Sequence, residues 1–217
     1  MFDRRFAAVG PLALTLFAGS FTLASAQVTV ELEAYPFVGG TFFLSDPPGQ
    51  FLIQRQDAST LVVRDADFRH WWTFGMAAGV RIADDWGIEG MFSWVPTSLR
   101  AAGGLEAYGG EVDVNSMMYS GSVLYHFPEF ASFRPFAGIG MGGETVSHDS
   151  HLAWERHTDL MGNVLIGANY LLRDNFGIRF EARDCITRFE SHVVGVDNTA
   201  ANDLMITAGL SYRTKLW

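Results

Sequence analysis

The sequence predicts an all-β protein, a single eight-stranded antiparallel up-and-down transmembrane β-barrel. Apolar and polar residues alternate with a period of two along most of the 217 residues. The alternating segments are joined by connections that are short and long in turn, as in barrels with tight periplasmic turns and longer outer loops. Beyond the N-terminal segment there is no run of about 18 apolar residues, the length a transmembrane helix needs.

The N-terminal segment has the features of a secretory signal peptide. Arg4 and Arg5 give a positive start, an apolar run covers residues 6–23, and the small residues Ala24 and Ala26 form an A-x-A cleavage site. We therefore expect residues 1–26 to be a signal peptide and residues 27–217 to form an outer-membrane β-barrel domain. The alternative, a short membrane anchor, is less favoured because the apolar run is short.

Composition excludes some functional classes. Removal of residues 1–26 leaves 13 basic and 23 acidic residues, and this negative charge argues against binding nucleic acid through a basic surface. Charged residues make up only 18% of the chain, while 23 glycines and 14% aromatic residues suit strands, tight turns and an apolar surface. The only cysteine, Cys185, excludes an internal disulfide.

Eight segments have the strand pattern, and each exceeds the roughly 9–11 residues that a tilted strand needs to cross a bilayer. They cover residues 28–44, 71–83, 86–99, 114–127, 133–147, 159–173, 176–190 and 204–214. The connections 84–85, 128–132 and 174–175 are short. The connections 45–70, 100–113, 148–158 and 191–203 are long.

Side-chain size predicts which face of each strand is inside. In the segment 176–190, Phe176 and Phe180 lie on one face, and Arg179 and Glu181 on the other. The interior of an eight-stranded barrel is only just filled by side chains, so small and polar residues fit there and bulky apolar residues fit lipid. The outward face of the segment 159–173 then carries Leu160, Val164, Ile166, Ala168 and Tyr170.

Two groups of side chains follow from this orientation. Charges inside the barrel must be paired, because unpaired buried charges are costly. The predicted lumen ion-pair network consists of Glu31, Glu33, Arg81, Glu89, Arg179, Glu181 and Arg183. Aromatic residues at strand ends are typical of interfacial girdles. Those beside the short turns or the C-terminus are Tyr125, Phe127, Tyr170 and Tyr212, and those toward the long loops are Trp72 and Trp94.

Three stretches carry a resemblance to a known family. Residues 134–142, RPFAGIGMG, combine Arg-Pro-aromatic with alternating glycines; residues 167–184, GANYLLRDNFGIRFEARD, form a hairpin ending in Arg-x-Glu-x-Arg; and residues 206–213, ITAGLSYR, form a closing strand. In this order they resemble small outer-membrane β-barrel proteins, similar to the OmpA-type transmembrane barrel domain. The resemblance implies a Gram-negative outer-membrane location and two partners, the outer-membrane lipid bilayer and the barrel-assembly machinery.

The sequence departs from that family at its end. Family members usually finish on an aromatic residue that the assembly machinery recognises, shortly after the Tyr-Arg pair. Here residues 214–216 precede Trp217. Because side chains alternate between the two faces of a strand, this spacing places Trp217 out of step with the outward-facing residues. No peptidoglycan-binding domain follows the barrel, so the resemblance does not imply cell-wall tethering.

Two clusters of residues carry side chains that could form a chemical site. The connection around residues 148–158 contains possible metal ligands, but their spacing forms no compact ligand motif, and a solvated acidic loop is favoured. These residues are His148, Asp149, His151, Glu155, His157 and Asp159. Ser122 and His126 share the lumen face but lie about 13 Å apart along a strand, too far for a catalytic dyad. We expect no metal, no cofactor and no enzymatic activity.

Two further groups of residues, a run of alternating glycines and a set of apolar side chains near the first outer loop, have structural interpretations. Gly138, Gly140 and Gly142 lie mid-strand with no helix after them, so relief of lumen crowding is favoured over nucleotide binding. Apolar groups near or within the first outer loop either cap the barrel, which is the default, or line an entry for a hydrophobic solute. They are Phe37, Phe42, Phe43, Phe51, Leu52 and Ile53.

The sequence therefore predicts an integral outer-membrane barrel with a structural and surface-interaction role and a polar, largely packed lumen. Its outer loops would contact an extracellular ligand. One alternative is a narrow channel for small or hydrophobic solutes. A lipid-modifying enzyme is the less favoured alternative.

Overall fold

The computed structural model describes residues 29–45, 50–54, 60–82, 85–103, 111–148, 157–189 and 199–216. Within these ranges every regular element is a β-strand. The strands are β1 (Val30–Phe43), β2 (Gln50–Gln54), β3 (Thr60–Phe68), β4 (Trp71–Ile82), β5 (Trp86–Gly103), β6 (Glu111–His126), β7 (Phe133–His148), β8 (His157–Leu171), β9 (Phe176–Phe189) and β10 (Thr199–Lys215). The described residues contain no helix with the length and hydropathy needed to cross a membrane.

Eight of the ten strands close into an antiparallel barrel. Their order is β4-β1-β10-β9-β8-β7-β6-β5, and β5 also pairs with β4, which completes the ring. Apart from the β1–β10 closure, neighbouring barrel strands are joined directly along the chain or, for β1 and β4, through the β2–β3 hairpin. Closure pairs the backbone groups of every wall strand, which hydrocarbon requires because it offers no hydrogen-bond partners. The predicted fold class is confirmed.

The strands are staggered by ten residues around the barrel. Starting at Phe176, the printed register passes through one residue of each successive strand and returns to β9 at Ile186. The intermediate residues are Tyr212, Ala34, Ala78, Gly90, Gly121, Met141 and Gly162. Such a stagger requires strands tilted by roughly 35–45° from the barrel axis. It also decides which lumen side chains meet.

The first long connection, residues 45–70, contains two strands that the sequence analysis did not predict. Strands β2 and β3 pair with each other over residues 50–54 and 60–64, and β3 pairs with the outer end of β5. Phe51, Leu52 and Ile53 therefore lie in a strand. Strand β5 continues to Gly103, beyond the predicted end at residue 99, and its outer backbone groups supply partners for β3. Edge groups of this kind are available for further pairing once the strand leaves the barrel rim.

The barrel surface is apolar and its charges point inward, as predicted. On β9, Phe176 and Phe180 are about half exposed, whereas Arg179, Glu181 and Arg183 are buried. Other outward side chains are among the most exposed in the barrel wall; they include Ile139, Met141, Leu160, Ile166 and Leu210. Ala168 was predicted to be exposed on the outer face, and that prediction was wrong because its side chain is buried. It lies between Pro135 and Phe180 in the register, and these larger neighbours shield it.

The lumen is less polar than the sequence indicated. Its buried side chains include Tyr35, Phe37, Met91, Met118, Leu124, Phe136, Met161, Leu165 and Met205. The expectation that bulky apolar side chains face lipid failed at these positions because glycines on neighbouring strands leave room for large rings. A Cβ atom at Gly75 would collide with the Phe37 ring, and one at Gly167 would collide with the Phe136 ring. Phe37, expected near the first outer loop, therefore faces the lumen.

Candidate functional site

The centre of the lumen holds an ion-pair network that spans the barrel diameter. Strands β5 and β9 are four positions apart in either direction around the ring, so they face one another. Glu89 on β5 binds two guanidinium groups from the opposite wall. Its Oε2 lies 2.7 Å from Arg179 Nη1, and its Oε1 lies 2.9 Å from Arg183 Nη2. One carboxylate therefore links two opposite walls.

Glu181 bridges the same two arginines from between them on β9. Arg179 Nη2 donates to Glu181 Oε2 at 2.6 Å, and Arg183 Nε donates to Glu181 Oε1 at 2.8 Å. The three residues share one face because side chains two apart on a strand point the same way. Two guanidinium groups and two carboxylates, counting Glu89, balance in formal charge. Charge-assisted hydrogen bonds of this length are the strong class.

Polar and aromatic neighbours hold the two arginines in place. Arg183 Nη1 donates to Ser120 Oγ at 3.0 Å and lies 3.4 Å from both Ser122 Oγ and Asn163 Oδ1. Arg179 stacks on aromatic rings instead. Its guanidinium carbon is 4.2 Å from the centre of the Phe136 ring and 4.9 Å from that of Tyr35. Cations over ring faces gain electrostatic attraction, more so when desolvated.

The seven predicted network residues form two groups rather than one. Arg81 pairs with Glu31, its direct register neighbour, on the periplasmic side of the lumen. Glu33 contacts the central group loosely, with Oε1 3.6 Å from Arg179 Nη1. The remaining four are Glu89, Arg179, Glu181 and Arg183. Sequence reasoning missed the two rings that clamp Arg179, because strand parity gives a side chain's face but not its neighbours.

The predicted interfacial aromatics all lie on the outer face. Trp72, Trp94, Tyr125, Phe127, Tyr170 and Tyr212 are each exposed by at least a third. Tyr125 contacts Phe127 and also Trp86, each with 5.2 Å between ring centroids. Sequence reasoning omitted Trp86, although it begins a strand beside a short turn. That position was the signal that could have identified it.

Carboxylates lie at the outer end of the lumen. Buried Glu144 accepts hydrogen bonds from Ser116 Oγ at 2.7 Å and from Thr187 Oγ1 at 2.8 Å. Asp159 on the adjacent strand β8 and Asp203 on β10 are also buried. Of the histidine-containing loop around residues 148–158, residues 149–156 lie outside the described residues, as do the side chains of His148 and His157. Among the described side chains, no group of three or more His, Cys, Asp or Glu could hold a metal ion.

Ser122 and His126 make different contacts in the lumen. Ser122 Oγ donates to Asn163 Oδ1 at 3.2 Å, whereas the His126 ring lies 5.8 Å from the Phe136 ring. The glycines of β7 have the expected effect on crowding. A Cβ atom at Gly138 would lie 2.5 Å from a Leu124 side-chain atom, and one at Gly140 would collide with Ser122 Oγ.

Comparison with known proteins agrees with this architecture. Among solved structures, the chain is similar to the outer-membrane protein AlkL in DMPC lipid bilayers, with 15% identity, 91% of this chain and 97% of that chain covered, and a TM-score of 0.51. The outer-membrane protein OprG from Pseudomonas aeruginosa has 14% identity, with 86% of this chain and 94% of that chain covered and a TM-score of 0.49. Neisserial surface protein A has 15% identity, with 85% of this chain and 96% of that chain covered and a TM-score of 0.46. Identities this low concern the fold alone.

No curated protein matches the chain significantly. The profile of the family described as "Outer membrane protein beta-barrel domain" matches residues 13–213, which is most of the chain. The closed wall, the apolar outer face and this match agree. The chain belongs to the outer-membrane β-barrel family and is an integral protein of the Gram-negative outer membrane.

Proposed function

We propose that this protein is a non-conducting, non-enzymatic barrel that contributes to envelope integrity and makes surface contacts through its outer loops. The observation that carries the proposal is the Glu89 carboxylate, which binds Arg179 and Arg183 across the full width of the lumen. A solute passing through would have to separate these pairs. Leaving one buried charge without its partner costs about 3–5 kcal/mol.

Apolar side chains add to this obstruction on both sides of the network. Leu124, Phe136 and Leu165 form one buried cluster, and Tyr35 and Phe37 belong to another. Ser122 Oγ donates its hydrogen bond to Asn163 rather than to His126, which supports the non-enzymatic part of the proposal. The outer loops, together with the β2–β3 hairpin, are the regions available to an extracellular ligand. Residues 1–26 would direct export and would then be removed, and insertion would use the barrel-assembly machinery.

Conductance in planar bilayers tests the proposal most simply. Folded wild-type protein should give no stable openings at neutral pH, and the surface variant Glu129→Gln serves as a matched carboxylate control. Stable openings of the wild type that vanish in Arg179→Ala or Glu181→Ala would replace the proposal with a narrow, gated channel. Hydrolysis of labelled lipid by the folded protein would instead favour an enzyme.

A deletion in the source bacterium tests the structural role. Loss of the protein should increase sensitivity to detergent, and the full-length chain should restore resistance. A chain shortened within residues 46–69 should restore resistance but lose surface contacts. Unchanged detergent sensitivity after deletion would contradict the envelope role.

A further inference from the structure

A shallow furrow crosses the lipid-facing wall of the barrel over β4, β5 and β6. Its volume is about 380 Å³. The floor is formed by Ala78, Gly90 and Gly121, which are consecutive register partners on these three strands. A Cβ atom added at Gly121 would meet nothing within 4 Å, and one at Gly90 would meet only the backbone oxygen of Ala78 at 3.9 Å. The space above the floor is therefore open.

Larger side chains border the floor on both sides, because the neighbouring outward-facing positions on each strand lie two residues away. At the β7 end the furrow is bounded by Met141, the register partner of Gly121, which is 67% exposed. At the other end the floor continues to Ala34 on β1. The two bordering rows consist of Met76, Phe92 and Tyr119 toward the outer end and Val80, Ile88 and Val123 toward the periplasmic end.

Buried residues close the furrow toward the lumen. Met91 and Ser120 also line it, and both are buried. Ser120 accepts a hydrogen bond from Arg183, so it is part of the wall around the central ion-pair network. A molecule that fills the furrow therefore enters it from the bilayer.

The position of the furrow along the strands indicates which leaflet it contacts. Gly90 lies four residues after Trp86 on β5, and Gly121 lies four residues before Tyr125 on β6. Trp86 and Tyr125 are register partners at the periplasmic ends of these strands. At about 3.3 Å per residue and a strand tilt of about 40°, the floor lies about 10 Å above this aromatic pair. Because the apolar band of such barrels is about 25 Å tall, the furrow lies in its periplasmic half. The lipids of that leaflet in a Gram-negative outer membrane are phospholipids.

We propose that the furrow holds one acyl chain of a phospholipid from the periplasmic leaflet. The furrow is continuous with the lipid-facing wall, so hydrocarbon already surrounds it. Its bordering rows are four residues apart along each strand, which separates their Cα atoms by about 13 Å. Side chains from both rows narrow this opening to the width of an acyl chain, whereas an α-helix is about 10–12 Å across.

Packing holds the chain in place. An unfilled furrow would forfeit van der Waals contacts along its floor and both rows, and a chain lying in it recovers them. Such a chain crosses the strands at right angles, so it is inclined by about 50° from the barrel axis and differs from the surrounding bulk lipid. This lipid-binding role does not depend on the proposed surface contacts of the outer loops.

Lipid retention by the wild type is the first test and needs no variant. The folded protein would be reconstituted in nanodiscs that contain phosphatidylethanolamine and lipopolysaccharide, released into a mild detergent, and weighed by native mass spectrometry. The proposal expects one phosphatidylethanolamine on each folded barrel. Folded wild-type protein that retains no lipid, or retains lipopolysaccharide in its place, would overturn the proposal.

Variants locate the bound chain. Gly90→Val/Gly121→Val fills the furrow, and the open space above both glycines accepts the added side chains. Phospholipid retention should fall by about tenfold, which corresponds to about 1.4 kcal/mol of lost contact. Gly162→Val is the matched control, because Gly162 also has nothing within 4 Å of an added Cβ atom but lies on β8, beyond Met141. It should retain lipid as the wild type does.

A second variant changes the furrow without filling it. Met76→Ala lowers the outer row and should also reduce retention, whereas Leu210→Ala shortens a lipid-facing side chain elsewhere on the wall and should not. Equal retention by the furrow variants and their controls would overturn the proposal. A wild-type dimer that becomes monomeric in Gly90→Val/Gly121→Val would make the furrow a contact between two copies of the chain, and would overturn it as well.

Discussion

Glu89 and Arg183 lie on strands that face each other across the barrel, and their side chains meet with 2.9 Å between Oε1 and Nη2. They are 94 positions apart in the chain. Their meeting depends on the ten-residue stagger, which sets the height of β5 relative to β9. Because Glu89 also binds Arg179, one substitution on β5 disturbs two buried charges on β9.

Removal of this carboxylate should strongly destabilise the barrel. Glu89→Gln leaves Arg179 and Arg183 without their partner on the opposite wall, and breaking a buried pair costs about 3–5 kcal/mol. Urea titration in phospholipid vesicles gives the free energy of unfolding. Glu129→Gln is the control, because Glu129 pairs with Arg134 at 2.5 Å on the surface and exposed pairs contribute about 0–1 kcal/mol. Equal losses in the two variants would contradict the account.

Glycines of the barrel wall should differ sharply in how much a substitution by alanine lowers the free energy of unfolding. Gly142→Ala forces a methyl group against the Tyr119 backbone and should cost about 1–3 kcal/mol. Gly162→Ala is the matched control, since nothing lies within 4 Å of its added carbon, and should change stability by less than about 0.5 kcal/mol. The same unfolding titration compares them. A larger loss of unfolding free energy for Gly162→Ala than for Gly142→Ala would contradict the close packing of β6 against β7.

Charge on the outer face should be tolerated according to depth. Ile139 lies midway along β7 and is 67% exposed, so Ile139→Arg places a cation in hydrocarbon at a cost of about 2–4 kcal/mol. Phe133 begins the same strand beside a short turn, and Phe133→Arg should cost about 0–1 kcal/mol. Folding yield and unfolding free energy in vesicles measure both. A midstrand arginine as harmless as the terminal one would mean that Ile139 does not face lipid.

Tyr35 should contribute through its hydroxyl as well as its ring. Tyr35 and Thr207 share a buried hydrogen bond of 3.0 Å between their hydroxyl oxygens. Tyr35→Phe leaves the Thr207 hydroxyl without this partner and should cost about 1–3 kcal/mol. Tyr212→Phe, on the half-exposed outer face, serves as the control and should be nearly neutral. Similar values for the two variants would exclude a specific role for the lumen hydrogen bond.

The sequence predicted the barrel well because both of its signals are local. Alternation along residues 176–183 gives the strand and its faces, and Asp174-Asn175 gives the turn. The β2–β3 hairpin could not be predicted in the same way. Its register against β5 involves residues 64–68 and 99–103, and such pairing depends on where β5 leaves the barrel rim.

Individual contacts in the lumen could not be predicted from the sequence either. Parity places Arg179 inside, but its contact with Phe136 depends on the stagger and on the space beside Gly167. Phe136 itself breaks the rule that bulky apolar side chains face lipid. That rule treats each position alone, whereas volume in a narrow lumen is shared between neighbouring strands.

Photolabelling from within the bilayer tests the orientation of the wall most directly. The folded protein would be reconstituted with lipids that carry a diazirine in the acyl chain, irradiated, and mapped by mass spectrometry. Strand β8 is the informative segment, because apolar residues occur on both of its faces. The account predicts labels on Leu160, Val164 and Ile166 and none on Met161 or Leu165. Labels on Met161 and Leu165, with Val164 and Ile166 protected, would contradict it.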